Sequence, residues 1–223
     1  MDIKLFFDAI IKYVLGVFIV GLLIFLPAGT LNYWNGWLFM GILFIPMFIA
    51  GIVMIIKSPE LLRKRLNMKE KENTQKKIVL ISAIMFILGF VLAGLNFKYN
   101  WIILPNYIIV IFSCIFVFAY ILYAEVLREN KYLSRTIEVQ EGQTVIDTGL
   151  YGIVRHPMYA ATILLFLSMP LVLGSLPSFI IFLIYPIIIA KRIKNEEKIL
   201  EKELDGYLEY KKKVKYKLIP FIY

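Results

Sequence analysis

The residue types that could do chemistry in this chain are concentrated in two stretches of its second half. In the first, the only histidine, His156, lies within Arg155-His156-Pro157-Met158-Tyr159, where a loop rich in turn residues meets a long apolar run. A proline directly after the histidine suits the first turn of a helix, whose free backbone N–H groups attract anions. The motif therefore predicts a polar site at the start of an apolar helix, although a lone histidine is also compatible with a purely structural role.

The second stretch is a predicted helix from Lys191 to about Lys213. Apolar side chains recur along one face of this helix, and Glu196 and Glu197 both fall within about 60° of the centre of that face. The apolar face comprises Ile193, Leu200, Leu204 and Tyr207. Carboxylates beside a buried face need a cationic partner or hydroxyl donors. We expect Arg155, His156 or a ligand to supply them.

The composition indicates a membrane protein, because 60% hydrophobic and 15% aromatic residues exceed what an ordinary soluble domain carries. A helix needs about 20 apolar residues to cross the bilayer core, and residues 10–28, 37–56, 78–95 and 102–127 reach or approach that length. Residues 159–190 are interrupted by Gly174-Ser175-Leu176-Pro177-Ser178, which predicts two shorter helices in a tight hairpin. The expected fold is an all-α polytopic membrane protein with five or six transmembrane helices and a C-terminal cytoplasmic amphipathic helix.

Basic residues predict the orientation, because short cytoplasmic loops retain Lys and Arg. Eight of them lie between positions 57 and 77, in the loop after the second predicted span. We therefore expect this loop, the N-terminus, residues 128–157 and the tail after Lys191 to be cytoplasmic. The net charge of +9 then reflects topology and contact with anionic membrane lipids, and nucleic acid is not an expected partner. The first apolar run is long and lacks a cleavage site, so we expect a retained span rather than a signal peptide.

Other sequence features narrow the possible chemistry. One histidine and one cysteine, Cys114, exclude a cysteine-based metal site and disfavour a metal cofactor, and Cys114 is expected to pack within an apolar span. The chain has neither a Gly-rich dinucleotide fingerprint nor a P-loop, which excludes a soluble-type nucleotide-binding domain. Residues 136–140 and 143–146 alternate in polarity around Glu141-Gly142, which predicts a small hairpin or extended flap. Such a flap can contact a polar ligand or simply cover the surface.

Several motifs of the second half together resemble the isoprenylcysteine carboxyl methyltransferase (ICMT) family and its bacterial relatives. They are Gly149-Leu150-Tyr151, Val154-Arg155-His156-Pro157-Met158-Tyr159, Arg192 with Glu196-Glu197, Tyr207-Leu208-Glu209-Tyr210-Lys211-Lys212, and Ile219-Pro220-Phe221. The resemblance implies N-terminal transmembrane helices over residues 1–127 and a methyltransferase core over residues 128–223. It also implies S-adenosylmethionine bound at the cytoplasmic face and a lipid-like methyl acceptor that enters from the bilayer.

The resemblance also implies roles for individual residues. It places the cofactor against Gln143, Thr144, Val145, Ile146, Tyr151, His156, Pro157, Met158, Tyr159, Glu196 and Glu197. It matches Arg192 to the substrate-side arginine of the family, with Arg155 as the second catalytic candidate. A membrane-interface anchor is the alternative role for Arg192. A carboxylate acceptor is already ionised at neutral pH, so it needs an arginine to orient it and no general base. We therefore expect a lipid-like or prenylcysteine-like acceptor in which a carboxylate is methylated, and other lipids and amines are the alternative acceptors.

Two alternatives come from other functional classes. The ending Lys217-Leu218-Ile219-Pro220-Phe221-Ile222-Tyr223 also resembles the tail of sterol reductases, which suggests an NADPH-dependent membrane reductase. A non-enzymatic lipid-binding or scaffold protein is the third possibility, and it would bind neither nucleotide. The sequence leaves the exact acceptor and the oligomeric state open.

Overall fold

The computed structural model describes residues 3–67, 73–134 and 139–223, and over these residues it contains helices and no strand. The helices are α1 Ile3–Ala28, α2 Trp34–Lys57, α3 Pro59–Leu66, α4 Asn73–Tyr99, α5 Asn106–Glu129, α6 Pro157–Val172, α7 Leu176–Phe182, α8 Tyr185–Glu203 and α9 Tyr207–Lys213, with a 3-10 turn at Gly149–Gly152. The predicted all-α class is therefore confirmed over the described part of the chain.

Within the described residues, five helical segments are long and apolar enough to cross a membrane. They are α1, α2, residues Gln75–Tyr99 of α4, α5, and the segment Leu176–Glu203 that α7 and α8 form together. The 16-residue α6 is a shorter apolar helix. The protein is thus a polytopic membrane protein with five or six membrane segments, as predicted. The fourth span begins later than expected, at Asn106 instead of 102, because Pro105 holds extended backbone at the N-cap.

Exposed aromatic residues gather at one end of the helix bundle. Trp34 and Trp37 lie at the start of α2, Tyr99 and Trp101 at the end of α4, and Tyr107 at the start of α5. Trp and Tyr are enriched at membrane interfaces, where their rings meet the lipid headgroups. The opposite ends of α2 and α5 lead to the basic helix α3 and to the loops before α6. This distribution indicates two distinct membrane surfaces. The polar motifs of the second half lie at the one that carries the basic helix α3.

One hydrophobic core joins the two predicted parts of the chain. Helix α4 packs against α1 and also against α7 and α8, while α5 packs along α6. Phe39 and Phe116 from the first part share this core with Phe182 and Ile193 from the second, all without solvent exposure. The two predicted parts, residues 1–127 and 128–223, therefore do not have separate hydrophobic cores. Their division stays a prediction about which part carries the function.

Buried hydrogen bonds hold the turn between α6 and α7. This turn lies at the position that the sequence predicted. The Ser175 hydroxyl accepts the backbone N–H of Ser178 at 3.2 Å and caps α7. The Tyr33 hydroxyl donates to the carbonyl of Leu173 at 2.5 Å, and the Asn96 amide donates to the carbonyl of Gly174 at 3.3 Å. These bonds tie the turn to the start of α2 and to the end of α4.

The prediction of one continuous helix from Lys191 to Lys213 is wrong in its second half. Helix α8 ends at Glu203, and α9 starts again at Tyr207. Gly206 between them has φ +80°, a left-handed conformation that glycine adopts without steric cost and that commonly ends helices. The break lets Leu204 and Tyr207 pack in a small cluster with the end of α9.

Candidate active site

An open pocket lies where α6 and α8 meet the loop that precedes α6, and α9 covers one side of it. Eleven residues predicted for the site line this pocket: Gln143, Thr144, Val145, Ile146, Tyr151, Arg155, His156, Met158, Tyr159, Arg192 and Glu196. Segments that are far apart in the sequence are thus brought together. Two predicted residues are not among its lining residues. Pro157 is buried at the first turn of α6, and Glu197 is 4% exposed behind the pocket wall.

A chain of hydrogen bonds runs along the pocket wall between α6 and α8. The Arg192 Nε donates to the Tyr159 hydroxyl at 2.8 Å, and that hydroxyl donates to Glu196 Oε2 at 2.5 Å. Arg192 and Glu196 lie one turn apart on α8, so a single hydroxyl from α6 holds both. The wall therefore presents a cationic and an anionic group in fixed positions, since charge-assisted hydrogen bonds are the stronger kind.

Behind this wall, Glu197 is the centre of a buried ionic cluster. Arg155 Nε donates to Glu197 Oε1 at 2.8 Å, and the two side chains are only 3% and 6% exposed. His156 Nε2 lies 3.3 Å from the same oxygen, and Lys217 Nζ lies 3.5 Å from Oε2. The expectation that Arg155 or His156 would partner one of the two acids is confirmed for Glu197.

Arg155 also fastens the C-terminal tail to the histidine motif. Its guanidinium donates to the carbonyls of Val214 at 2.7 Å and Lys215 at 2.8 Å. The backbone N–H groups of Arg155 and His156 donate to the carbonyls of Tyr216 and Lys217, each at 2.9 Å. These contacts hold the C-terminal tail against the histidine motif, and the catalytic role of Arg155 and the cofactor-binding role of Glu197 stay predictions.

The 3-10 turn before the motif fixes Tyr151 at the pocket. Gly149 has φ +52°, a left-handed conformation that favours glycine, and a Cβ there would displace the Glu129 carboxylate. The Glu129 carboxylate accepts the backbone N–H of Leu150, with its two oxygens at 3.0 and 3.2 Å. The Tyr210 hydroxyl of α9 donates to the carbonyl of Tyr151 at 2.8 Å. The turn is thus held from both α5 and α9.

Part of the predicted flap is described. Residues 136–138 lie outside the described residues, and residues 139–148 form no strand. The turn expected at Glu141-Gly142 is present, with the N–H of Gln143 donating to the carbonyl of Gln140 at 3.0 Å. The Gln140 side chain donates to the carbonyl of Tyr132 at 2.7 Å and accepts from Lys64 Nζ at 2.5 Å. The flap is therefore attached both to its own loop and to α3.

Helix α3 supports the pocket from outside, which the sequence did not indicate. Arg65 donates to the Tyr123 hydroxyl of α5 and, at 3.5 Å, to the carbonyl of Ser134. Leu61 packs in one cluster with Tyr151. The basic residues of this loop predicted only the membrane orientation. The sequence contains no other pattern that would indicate the packing of a short helix on a loop far along the chain.

Eight lining residues were not predicted: Asn130, Tyr132, Leu133, Ser134, Leu200, Leu204, Tyr207 and Tyr210. Leu200, Leu204 and Tyr207 had a signal, because they lie on the apolar face of the predicted helix. The loop residues 130–134 had none, because their placement depends on the end of α5 and on α3.

Comparison with known proteins is consistent with this site. Residues 111–202 match the model of the isoprenylcysteine carboxyl methyltransferase (ICMT) family. The match includes most of α5, upstream of the motifs that carried the resemblance, and it stops before α9. A Delta(14)-sterol reductase of Mus musculus, TM7SF2, is 30% identical over 91 residues, which is 40% of this chain and 22% of that reductase. The chain thus spans about a fifth of the reductase's length.

The matched segment holds the histidine motif and the Arg192–Tyr159–Glu196 wall. This part of the chain is therefore similar to the isoprenylcysteine carboxyl methyltransferase family.

Proposed function

We propose that the protein is an integral membrane methyltransferase that uses S-adenosylmethionine and methylates a lipid-like acceptor, with a prenylcysteine-like carboxylate as the acceptor group. The observation that carries this proposal is the Arg192–Tyr159–Glu196 chain. It sets a guanidinium beside a carboxylate on the wall of a pocket at the end of the membrane helices, within the family segment.

The pocket residues fit an S-adenosyl ligand. Glu196 is half-buried and accepts hydrogen bonds, which suits ribose hydroxyls or the ammonium of the amino-acid moiety. Tyr151, His156 and Tyr159 present aromatic rings to the pocket, and aromatic faces attract cations such as a sulfonium. When bound, the cofactor supplies an electrophilic methyl group. Residues 143–146 would close the pocket with backbone donors and acceptors.

The chain's part in such a transfer is to position the acceptor and exclude water. Holding two reactants in line contributes as much as about 7–11 kcal/mol in favourable cases. A carboxylate is ionised at neutral pH, so no side chain has to remove a proton from it. Arg192 would orient this carboxylate, and Arg155 with Glu197 would hold the wall and the tail in place.

Titration of the purified protein with S-adenosylhomocysteine and with NADPH tests the proposal. We expect saturable binding of S-adenosylhomocysteine and none of NADPH. The sterol-reductase match favours a second candidate, an NADPH-dependent membrane reductase, which the reverse result would support. Binding of neither nucleotide would point to the non-enzymatic lipid-binding alternative.

Arg192→Lys is expected to lower turnover by at least about tenfold while the affinity for S-adenosylhomocysteine stays nearly unchanged. A lysine keeps the charge but cannot hold a carboxylate with two parallel hydrogen bonds, and one charge-assisted bond contributes about 1.5 kcal/mol or more. Lys191→Arg, at the exposed neighbouring position, serves as the control. Near-normal turnover of Arg192→Lys with a known acceptor would assign Arg192 to membrane anchoring instead.

We also propose that the pocket faces the cytoplasm, together with α3 and both termini. Single cysteines at Asn67 and Gly142, both exposed, should then be labelled only from the cytoplasmic side, and one at the exposed Asn32 only from the other. The native Cys114 is exposed and is replaced by alanine in every variant. Labelling of positions 67 and 142 from opposite sides would refute this topology.

A further inference from the structure

Two adjacent basic side chains of α3, Lys64 and Arg65, contact two loop segments that border the pocket. Both side chains are half-buried. Lys64 Nζ donates to the side-chain oxygen of Gln140 at 2.5 Å, which attaches the flap, here residues 139–146. Arg65 donates to the carbonyl of Ser134 at 3.5 Å. Ser134 and the second half of the flap line the pocket. Two neighbouring residues of one short helix thus reach both borders of the pocket.

The flap and the loop of residues 130–134 are also joined to each other. The Gln140 side chain donates to the carbonyl of Tyr132 at 2.7 Å, and the Tyr132 hydroxyl donates to the carbonyl of Gly142 at 3.1 Å. We call the two segments together the loop–flap unit. Because each segment contributes four lining residues, a displacement of this unit would remove contacts from any ligand in the pocket.

Helix α3 is itself fixed to two membrane helices. Leu61 is buried beneath it, and Lys12 Nζ of α1 donates to the carbonyl of Leu66, at the C-terminal end of α3, at 3.0 Å. Arg65 also donates to the Tyr123 hydroxyl of α5. Loops without regular structure move more readily than the elements that they connect. A helix anchored to α1 and α5 can therefore restrain the loop–flap unit.

We propose that Lys64 and Arg65 are positioning residues, which hold the loop–flap unit against the pocket and thereby slow the dissociation of the S-adenosyl ligand. Loops that close over a ligand control its release, and most changes in affinity are changes in the dissociation rate. Both residues lie outside residues 111–202, which match the family model, so this role is inferred from the contacts of this chain. The inference rests on the proposed function, since it concerns retention of the same ligand.

Lys64→Met should speed the dissociation of S-adenosylhomocysteine about three- to tenfold, the effect of one lost hydrogen bond. Lys64→Arg should retain most of the wild-type rate, because arginine can also donate to Gln140. Arg63→Met removes the same charge from the exposed neighbouring position and should leave the rate unchanged. In a Gln140→Met background, Lys64→Met should add nothing, whereas Arg65→Met, which acts through Ser134, should still speed dissociation.

A nitroxide spin label on Glu141→Cys, at an exposed position of the flap, tests the attachment without any ligand, with Cys114 replaced by alanine. We expect the label to move faster in Lys64→Met and at the wild-type rate in Arg63→Met. Unchanged label motion or unchanged dissociation in Lys64→Met would overturn the proposal, as would an undiminished effect of Lys64→Met in the Gln140→Met background. Failure of the wild type to bind S-adenosylhomocysteine would contradict the proposed function, and the label would still decide whether α3 holds the flap.

Discussion

Replacing Arg155 by methionine is expected to lower the free energy of unfolding by about 3–5 kcal/mol, because it leaves a buried carboxylate without its closest cation. Glu197 and Arg155 are almost fully buried and lie 2.8 Å apart. The change also removes the donor for the carbonyls of Val214 and Lys215. The C-terminal tail should therefore detach from the histidine motif, and ligand affinity should fall with it.

Unfolding in detergent and limited trypsin digestion measure this effect, since the tail carries lysines at positions 211–213, 215 and 217 that become cleavable once it detaches. The double variant Arg155→Met with Glu197→Leu should recover most of the stability, because it replaces both buried charges with apolar groups. Arg128→Met breaks the exposed pair with Glu125 and should change little. An Arg155→Met protein with wild-type stability and an equally resistant tail would show that the cluster does not hold the site.

Glu196→Gln is expected to weaken S-adenosylhomocysteine binding roughly ten- to a hundredfold while the fold stays intact. Loss of a charge-assisted hydrogen bond costs about 1.5–3 kcal/mol. Glutamine can still accept the hydrogen bond that the Tyr159 hydroxyl gives to Glu196, so the wall itself should persist. Calorimetry on both proteins measures the difference.

Glu203→Gln is the control for this variant, because Glu203 is exposed near the end of the same helix. Glu201 is less suitable, since its carboxylate lies 2.5 Å from Lys211 Nζ and links α8 to α9. Equal affinities of the wild type and Glu196→Gln would remove Glu196 from the ligand site.

Local sequence patterns predicted the membrane spans, the hairpin turn and the inward placement of Glu197. The spans follow from the length of apolar runs, and the hairpin turn follows from Gly174 and Pro177, whose backbone preferences act within a few residues. The inward placement of Glu197 followed from helix periodicity alone. A buried carboxylate needs a partner, and Arg155 supplies it from a distant part of the chain.

The features that were missed or wrong depend on tertiary contacts. The prediction that α8 continues through Gly206 was based on the helical spacing of apolar residues. It did not include the turn that glycine permits. The docking of α3 through Arg65 is set by the relative placement of distant elements. The contacts of Arg155 were also missed, because the carbonyls that it binds come from a tail about 60 residues later, which no local pattern places there.

Transfer of a labelled methyl group from S-adenosylmethionine in membranes that contain the protein tests the central claim most directly. The membranes are supplied with a prenylated cysteine analogue and their own lipids, and the lipid extract is counted before and after mild alkali. We predict label in the extract for the wild type, little for Glu196→Gln, and release of that label by alkali as volatile methanol, because hydrolysis of a carboxyl methyl ester frees the methyl group whereas a methylated amine keeps it. Label that alkali does not release as methanol would replace the carboxylate acceptor with another group, and absence of any transferred label would contradict the methyltransferase assignment.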